Sequence, residues 1–151
     1  GAGYVVFPVD PPGTTAYETD DQGDAVYVEQ GFTWKVFSPE LMTRLSQEGR
    51  TVFLDFTSKQ CWTCKANKQA VVYTDAFQQA LDEYNVVAVR GDYTMQDPAI
   101  KEWLDIYQRA GVPLNVVVPP GADKTQGILL NTVLTMDEVL TAFKQAAGKN
   151  P

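Results

Sequence analysis

The residues best equipped for chemistry in this chain are its two cysteines, Cys61 and Cys64, in the run Cys61-Trp62-Thr63-Cys64. Two thiols at that spacing can close into a disulfide and reopen by exchange with thiols or disulfides of other molecules, through a mixed disulfide. Two bland readings compete with this one, a permanent cross-link and half of a metal site. A ring so short removes little chain entropy, so a staple here would stabilise almost nothing. A tetrahedral thiolate site needs ligands beyond two cysteines, the sequence has no histidine, and no second ligand cluster of suitable spacing is visible. Reversible redox exchange is the expectation, with no metal and no cofactor.

The missing histidine removes other chemistries as well. Ser-His-Asp and Cys-His nucleophile pairs, His-ligated zinc, c-type haem attachment and blue-copper sites all require an imidazole. Composition narrows the partners. Lys and Arg total 12 against 19 Asp and Glu, a net charge of -7, which disfavours a nucleic-acid footprint and supplies no polybasic membrane anchor. Proteins are the expected partners.

A length of 151 residues with 44% apolar content suits one core rather than two. No stretch approaches the roughly 18 consecutive apolar residues of a membrane span, and the first residues lack the layout of a signal peptide. Gly1-Ala2-Gly3 resembles an expression remnant, which leaves room for a signal or membrane segment upstream.

The elements that must position the cysteines follow from the hydrophobic pattern. Residues 1–31, with Pro8, Pro11, Pro12 and Gly13 and then Glu18, Asp20, Asp21 and Asp24, read as an extended lead-in or linker, in which Tyr4–Val9 and Ala25–Val28 could form short edge strands. Residues 32–151 read as the folded domain. Phe32–Phe37 suits a strand, and Ser38-Pro39-Glu40 opens a helix running to about Glu48, stopped by Gly49. Thr51–Phe56 is an apolar run fit for a strand buried on both faces. Residues 62–82 are helix-like with a break near Tyr73-Thr74-Asp75, where Val71-Val72 weakens the helix and Thr74 or Asp75 can cap a new one. Val86–Val89 is a buried strand. Asp97-Pro98 opens a helix with Ile100, Trp103, Leu104 and Tyr107 on one face, which makes Trp103 core. Leu114–Val118, a turn at Pro119-Pro120-Gly121 and Ile128–Leu130 form a hairpin, and the capping box Thr135-x-x-Glu138 starts a last helix. Alternating strands and helices with a terminal hairpin imply an α/β fold, a central mixed sheet with helices on both faces. The order resembles that of the thioredoxin fold.

In this frame Cys61 opens a helix, where unsatisfied backbone N–H groups favour a thiolate, and Cys64 is the more buried partner. Asp55, on the central strand among Val52, Phe53, Leu54 and Phe56, is expected to be at least partly buried; desolvation would raise its pKa and let it exchange a proton with Cys64, the alternative being a solvated strand-end carboxylate. Gly111-Val112-Pro113 precedes the next strand. A cis Val112-Pro113 bond would set free Val112 backbone groups beside the sulfurs, for pairing with an extended substrate, although X-Pro bonds in general favour trans. Trp62 is expected to be exposed, and with Thr63 it is placed among the substrate contacts. Lys65 and Lys68 either favour the thiolate or line a solvated helix face.

The stretch Phe53–Asn67, with Arg90-Gly91-Asp92-Tyr93-Thr94, Asp97-Pro98-Ala99-Ile100 and Gly111-Val112-Pro113-Leu114, resembles the C-terminal thioredoxin-like domain of DsbD/ScsB-type protein-disulfide reductases, over about residues 33–145. That resemblance implies a periplasmic domain at the end of an inner-membrane protein. It would take electrons from a transmembrane donor domain and pass them to a thioredoxin-like partner, with Cys61 as nucleophile, Cys64 as resolving thiol, Asp55 as buried acid and Pro113 as cis-proline. Seven residues after the first cysteine the family often has Glu, and this chain has Lys68. A free-standing periplasmic isomerase or oxidase, and a non-catalytic binding module, remain as other readings.

Overall fold

The computed structural model describes residues 17–148; the strand expected at Tyr4–Val9 lies outside them. Strands β1 (Glu18–Thr19), β2 (Ala25–Glu29) and β3 (Phe32–Val36) lead to helix α1 (Pro39–Gln47) and strand β4 (Thr51–Thr57). Helices α2 (Trp62–Asn67) and α3 (Asp75–Tyr84) follow, then β5 (Val86–Asp92), α4 (Pro98–Ile106), β6 (Leu114–Val118), β7 (Ile128–Leu129) and α5 (Met136–Ala147). One mixed sheet results, in the order β1-β2-β3-β5-β4-β6-β7. The β3, β5 and β4 pairs are parallel, and β6 and β7 run antiparallel beside β4.

Period-2 alternation divides the core between the two faces of the sheet. Val52, Leu54 and Phe56 of β4 join Leu41 and Leu45 of α1 and Ile100, Trp103 and Leu104 of α4. Phe53 points the other way, into a cluster with Phe77 of α3 and Val139 and Phe143 of α5. Asp55 shares the strand parity of Phe53, so it faces the side on which α3 and α5 lie.

The acidic segment before Phe32 belongs to this sheet where it is described. Gln30 and Gly31, with φ of 51° and 77°, turn β2 into β3 with the two positive φ values of a type I′ turn. The boundary expected after residue 31 therefore falls inside a hairpin in which Glu29 pairs Phe32. Asp20 and Asp24 are bound by the Lys35 ammonium at 2.8 and 2.7 Å, and Asp24 also pairs with Arg44 of α1. The Lys35 contact holds both carboxyls below the usual range.

Local signals act where the sequence places them. The Ser38 hydroxyl accepts from the Leu41 N–H at 3.0 Å, and Gly49 follows α1 at a φ of 69°. Thr74 caps α3, accepting from the Phe77 N–H at 3.2 Å. Thr135 likewise caps α5, but the Glu138 carboxylate accepts from the Asn131 N–H instead of closing a reciprocal box. The region between the cysteines and α3 differs from expectation in kind. After α2 the chain makes a π-helical turn, Lys68–Val72, closed by Tyr73 N–H to Lys68 O at 2.7 Å.

The link from β6 to β7 spans residues 119–127, longer than a tight hairpin, and it passes close to the sheet at Gly127. Its N–H donates to the Tyr107 hydroxyl at 2.9 Å, which donates in turn to Lys124 O at 2.7 Å. A Cβ at Gly127 would stand 2.2 Å from Val116 Cγ1 and 2.6 Å from the Tyr107 oxygen. Gly127→Ala is expected to destabilise the fold by about 1–3 kcal/mol through overpacking, measured by urea denaturation; a loss within error would mean that the loop yields freely.

Candidate active site

The cysteines sit where β4 hands over to α2. Cys61 is the N-cap residue of α2, with φ -85° and ψ 103°, and the loop before it is pinned by Cys61 N–H to Ser58 O at 3.3 Å and Lys59 N–H to Thr94 Oγ1 at 3.0 Å. The two sulfurs form a disulfide with Cα atoms 5.2 Å apart, and Cys61 Sγ also accepts from the Cys64 N–H at 3.1 Å. The pair is asymmetric: Cys64 is 1% exposed, whereas Cys61 is partly open and Trp62 beside it is 81% exposed. Thr63 is partly exposed, and the Lys65 ammonium lies 5.0 Å from the Trp62 ring centre.

Val112-Pro113 is a cis peptide bond. Leu114 pairs Phe56, so Pro113 stands at the end of the sheet from which the cysteine loop departs. Arg109 holds the strand entry, donating to Pro113 O at 3.1 Å and Leu130 O at 3.2 Å. Asn67, at the end of α2, donates to Thr132 O at 2.9 Å and accepts from the Leu134 N–H at 3.0 Å. These bonds tie the entry of β6 and the end of α2 to the segment between β7 and α5.

Asp55 of β4 is 3% exposed. Its Oδ1 accepts from Asn115 Nδ2 at 2.8 Å, and its Oδ2 lies 2.7 Å from Lys68 Nζ. That second contact is an ion pair whose angles fall outside hydrogen-bond geometry, since Oδ2 has no hydrogen-bond partner. The Lys68 ammonium also reaches Thr57 Oγ1 at 3.2 Å and, at the long limit, Cys64 O at 3.5 Å. Lys68 is 5% exposed and does not line a solvated face, whereas Lys65 is exposed. The reason is the partner: a buried ammonium is tolerable only beside a counter-charge.

The sequence reading missed Asn115, Thr57, Asn67 and Arg109, and it missed the pairing of Lys68. A signal for Asn115 was present, since an amide inside Leu114-Asn115-Val116-Val117 has to meet a buried polar partner. Past Trp34, whose ring centre is 6.0 Å from Lys68 Nζ, Trp34 Nε1 donates to the Tyr73 hydroxyl at 3.1 Å, and that hydroxyl donates to Glu29 at 2.6 Å. Burial, then the bond to Glu29, pushes the Tyr73 phenol well up. Burial also opposes ionisation of Glu29, but donation from Tyr73 and Tyr27 outweighs it and holds that carboxyl below its usual range.

Among the described residues no cluster of three or more His, Cys, Asp or Glu could hold a metal ion. A cavity of about 360 Å³, lined in part by Phe37, Met42, Val52, Trp103 and Val118, opens at the end of the sheet where Val52 pairs Val118, away from the cysteines.

Set against known proteins, residues 33–120 match the family model described as thioredoxin-like. Curated proteins give no match. Among solved structures, the C-terminal domain of Neisseria meningitidis DsbD in the oxidised form is similar at 19% identity and a TM-score of 0.57, covering 75% of this chain and 98% of that one. A thioredoxin from Thermus thermophilus is similar at 20% identity and a TM-score of 0.55, covering 78% and 89%. The first thioredoxin domain of mouse protein disulfide-isomerase A4 is similar at 15% identity and a TM-score of 0.60, covering 93% and 91%. At these identities the likeness is one of fold. With the family match over more than half its length and a disulfide closed within its CXXC motif, this chain belongs to the thioredoxin-like family and is a thiol:disulfide oxidoreductase.

Proposed function

We propose that the chain is a reductase or electron-relay domain that passes electrons, by dithiol–disulfide exchange through Cys61 and Cys64, to a thioredoxin-like or DsbD-type partner protein. The observation that carries this reading is the asymmetric disulfide, with one sulfur partly open beside an exposed Trp62 and the other sealed. Cys61 is then the nucleophile that attacks the partner's disulfide, and Cys64 the resolving thiol. Asp55, linked to the Cys64 backbone through the Lys68 ammonium, serves as the proton-exchanging carboxylate. Val112 and Pro113 offer backbone for an extended partner segment, and Trp62 and Thr63 add side-chain contacts.

The resemblance of Phe53–Asn67 and the later segments to DsbD/ScsB-type domains supports the reductive direction, a periplasmic location and a transmembrane electron donor. No helix among the described residues is itself long and apolar enough to cross a membrane. Equilibration with a glutathione buffer tests the direction. A potential near the thioredoxin value of about -270 mV supports it, and one near the roughly -120 mV of a DsbA-type oxidant overturns it.

Trp62→Ser should raise the KM for a protein disulfide severalfold and leave stability within about 0.5 kcal/mol, as for an exposed position outside the core. Steady-state reduction of a protein disulfide with a dithiol donor reads the first, and urea denaturation the second. An unchanged KM would remove Trp62 from the docking surface.

A further inference from the structure

Lys68 is an unexpected side chain to find buried one helical turn after a disulfide cysteine. Its ammonium lies 2.7 Å from Asp55 and 3.2 Å from Thr57 on β4, with the Trp34 ring of β3 at 6.0 Å. Asn115 of β6 binds the other oxygen of the same carboxylate, Arg90 of β5 is the strand partner of Asp55, and Tyr73 and Glu29 lie beyond Trp34, with Glu29 feeling the charges of both Arg90 and Lys68. Taking two ions out of water costs several kcal/mol each, and well-packed apolar residues often do as well or better. Stability is therefore a poor reason for the pair. Position is a better one. The Lys68 N–H bonds back to Cys64 O, so the residue stands one helical turn after the sealed member of the disulfide, and its ammonium bridges Asp55 at 2.7 Å and the Cys64 carbonyl at 3.5 Å.

We infer that Lys68 is a positioning residue that tunes the Cys61–Cys64 couple, by cancelling the Asp55 carboxylate so that negative charge can develop on the Cys64 sulfur when the disulfide opens. The inference rests on the proposed role of Cys64 as resolving thiol. In that step the Cys64 thiolate gives an electron pair to the Cys61 sulfur of the mixed disulfide. The Cys61–Cys64 bond forms, the bond from Cys61 to the partner breaks, and the partner leaves as a thiolate that takes a proton from water. The cysteine pair is thereby oxidised by two electrons and the partner's disulfide is reduced to two thiols; a dithiol donor restores the pair. An unpaired buried carboxylate would oppose the Cys64 thiolate as a like charge. Paired with Lys68, that carboxylate presents no net charge.

The test is the glutathione equilibrium of the full chain and of Lys68→Gln, Asp55→Asn and the double variant. Lys68→Gln should make the dithiol about tenfold more reducing, a potential about 30 mV lower for a two-electron couple. Asp55→Asn should move it the opposite way, and the double variant should return to within about threefold of the unaltered chain. The thiolate absorbance of the reduced protein should titrate at higher pH in Lys68→Gln and lower in Asp55→Asn. Shifts of the same sign in both single variants, or none in either, overturn the inference, because a purely structural pair predicts those results. If Lys68→Gln does not fold, adding it to Asp55→Asn must still make the dithiol about tenfold more reducing, a potential about 30 mV lower. The direction of electron flow is judged separately, by the potential of the unaltered chain.

Discussion

Cys64→Ser is expected to stop turnover and leave the chain covalently attached to its disulfide substrates. Cys61 retains its place at the start of α2 and its partial exposure, so attack on a substrate disulfide still occurs. The sulfur that would release the mixed disulfide is gone, and the complex persists until an external thiol cleaves it. Cys61→Ser should show the complementary defect: no covalent complex and no exchange, because the remaining sulfur at Cys64 is 1% exposed. Non-reducing electrophoresis and intact mass after mixing with a disulfide protein read the adduct. Dithiol-driven reduction of the same protein reads turnover. Activity of Cys64→Ser within tenfold of the unaltered chain would show that Cys64 is not the resolving group, and a stable adduct of Cys61→Ser would reverse the roles.

The second large effect is on stability. Lys68→Met removes one member of a pair in which both side chains are nearly sealed from water, and breaking such a pair from one side costs about 3–5 kcal/mol because the other charge stays buried and unpaired. Asp55→Asn with Lys68→Met should recover most of that loss, since no lone ion is left. Urea denaturation of the oxidised protein gives the four corners of a double-mutant cycle. The coupling should exceed about 1 kcal/mol; additivity within about 0.5 kcal/mol would mean that the two groups do not interact.

What could be read in advance was what depends on neighbours in sequence. Ser38, Gly49, Thr74 and Asp97 mark helix ends through groups only a few residues away, and the alternation of Val52, Phe53, Leu54 and Phe56 announces a strand buried on both sides. The exposure of Trp62 followed from the need to leave Cys61 open. The environment of Lys68 was not legible in that way. Whether a lysine on an amphipathic segment faces water or a carboxylate is decided by Asp55 and Thr57, 13 and 11 residues earlier on another element. Asn115, 60 residues from Asp55, is positioned only by the register of β6 against β4. Gln30-Gly31 carried a local turn signal, but it lay in a segment whose prolines and acids dominated the reading. Two carboxylates of that segment, Asp20 and Asp24, are bound by Lys35 and Arg44 from β3 and α1.

The π-helical turn between α2 and α3 holds one residue more than an α-turn of the same span. A chain shorter by one position within Lys68–Val72 could still fold, winding there at ordinary pitch and recapping α3 on Thr74. It would lose phase, because one residue is about 100° of rotation around a helix. The ammonium or the two valines could then face inward, but not both. The surplus residue lets one short segment serve two interiors at once, an ionic one at Asp55 and an oily one shared with Phe53 and Phe77.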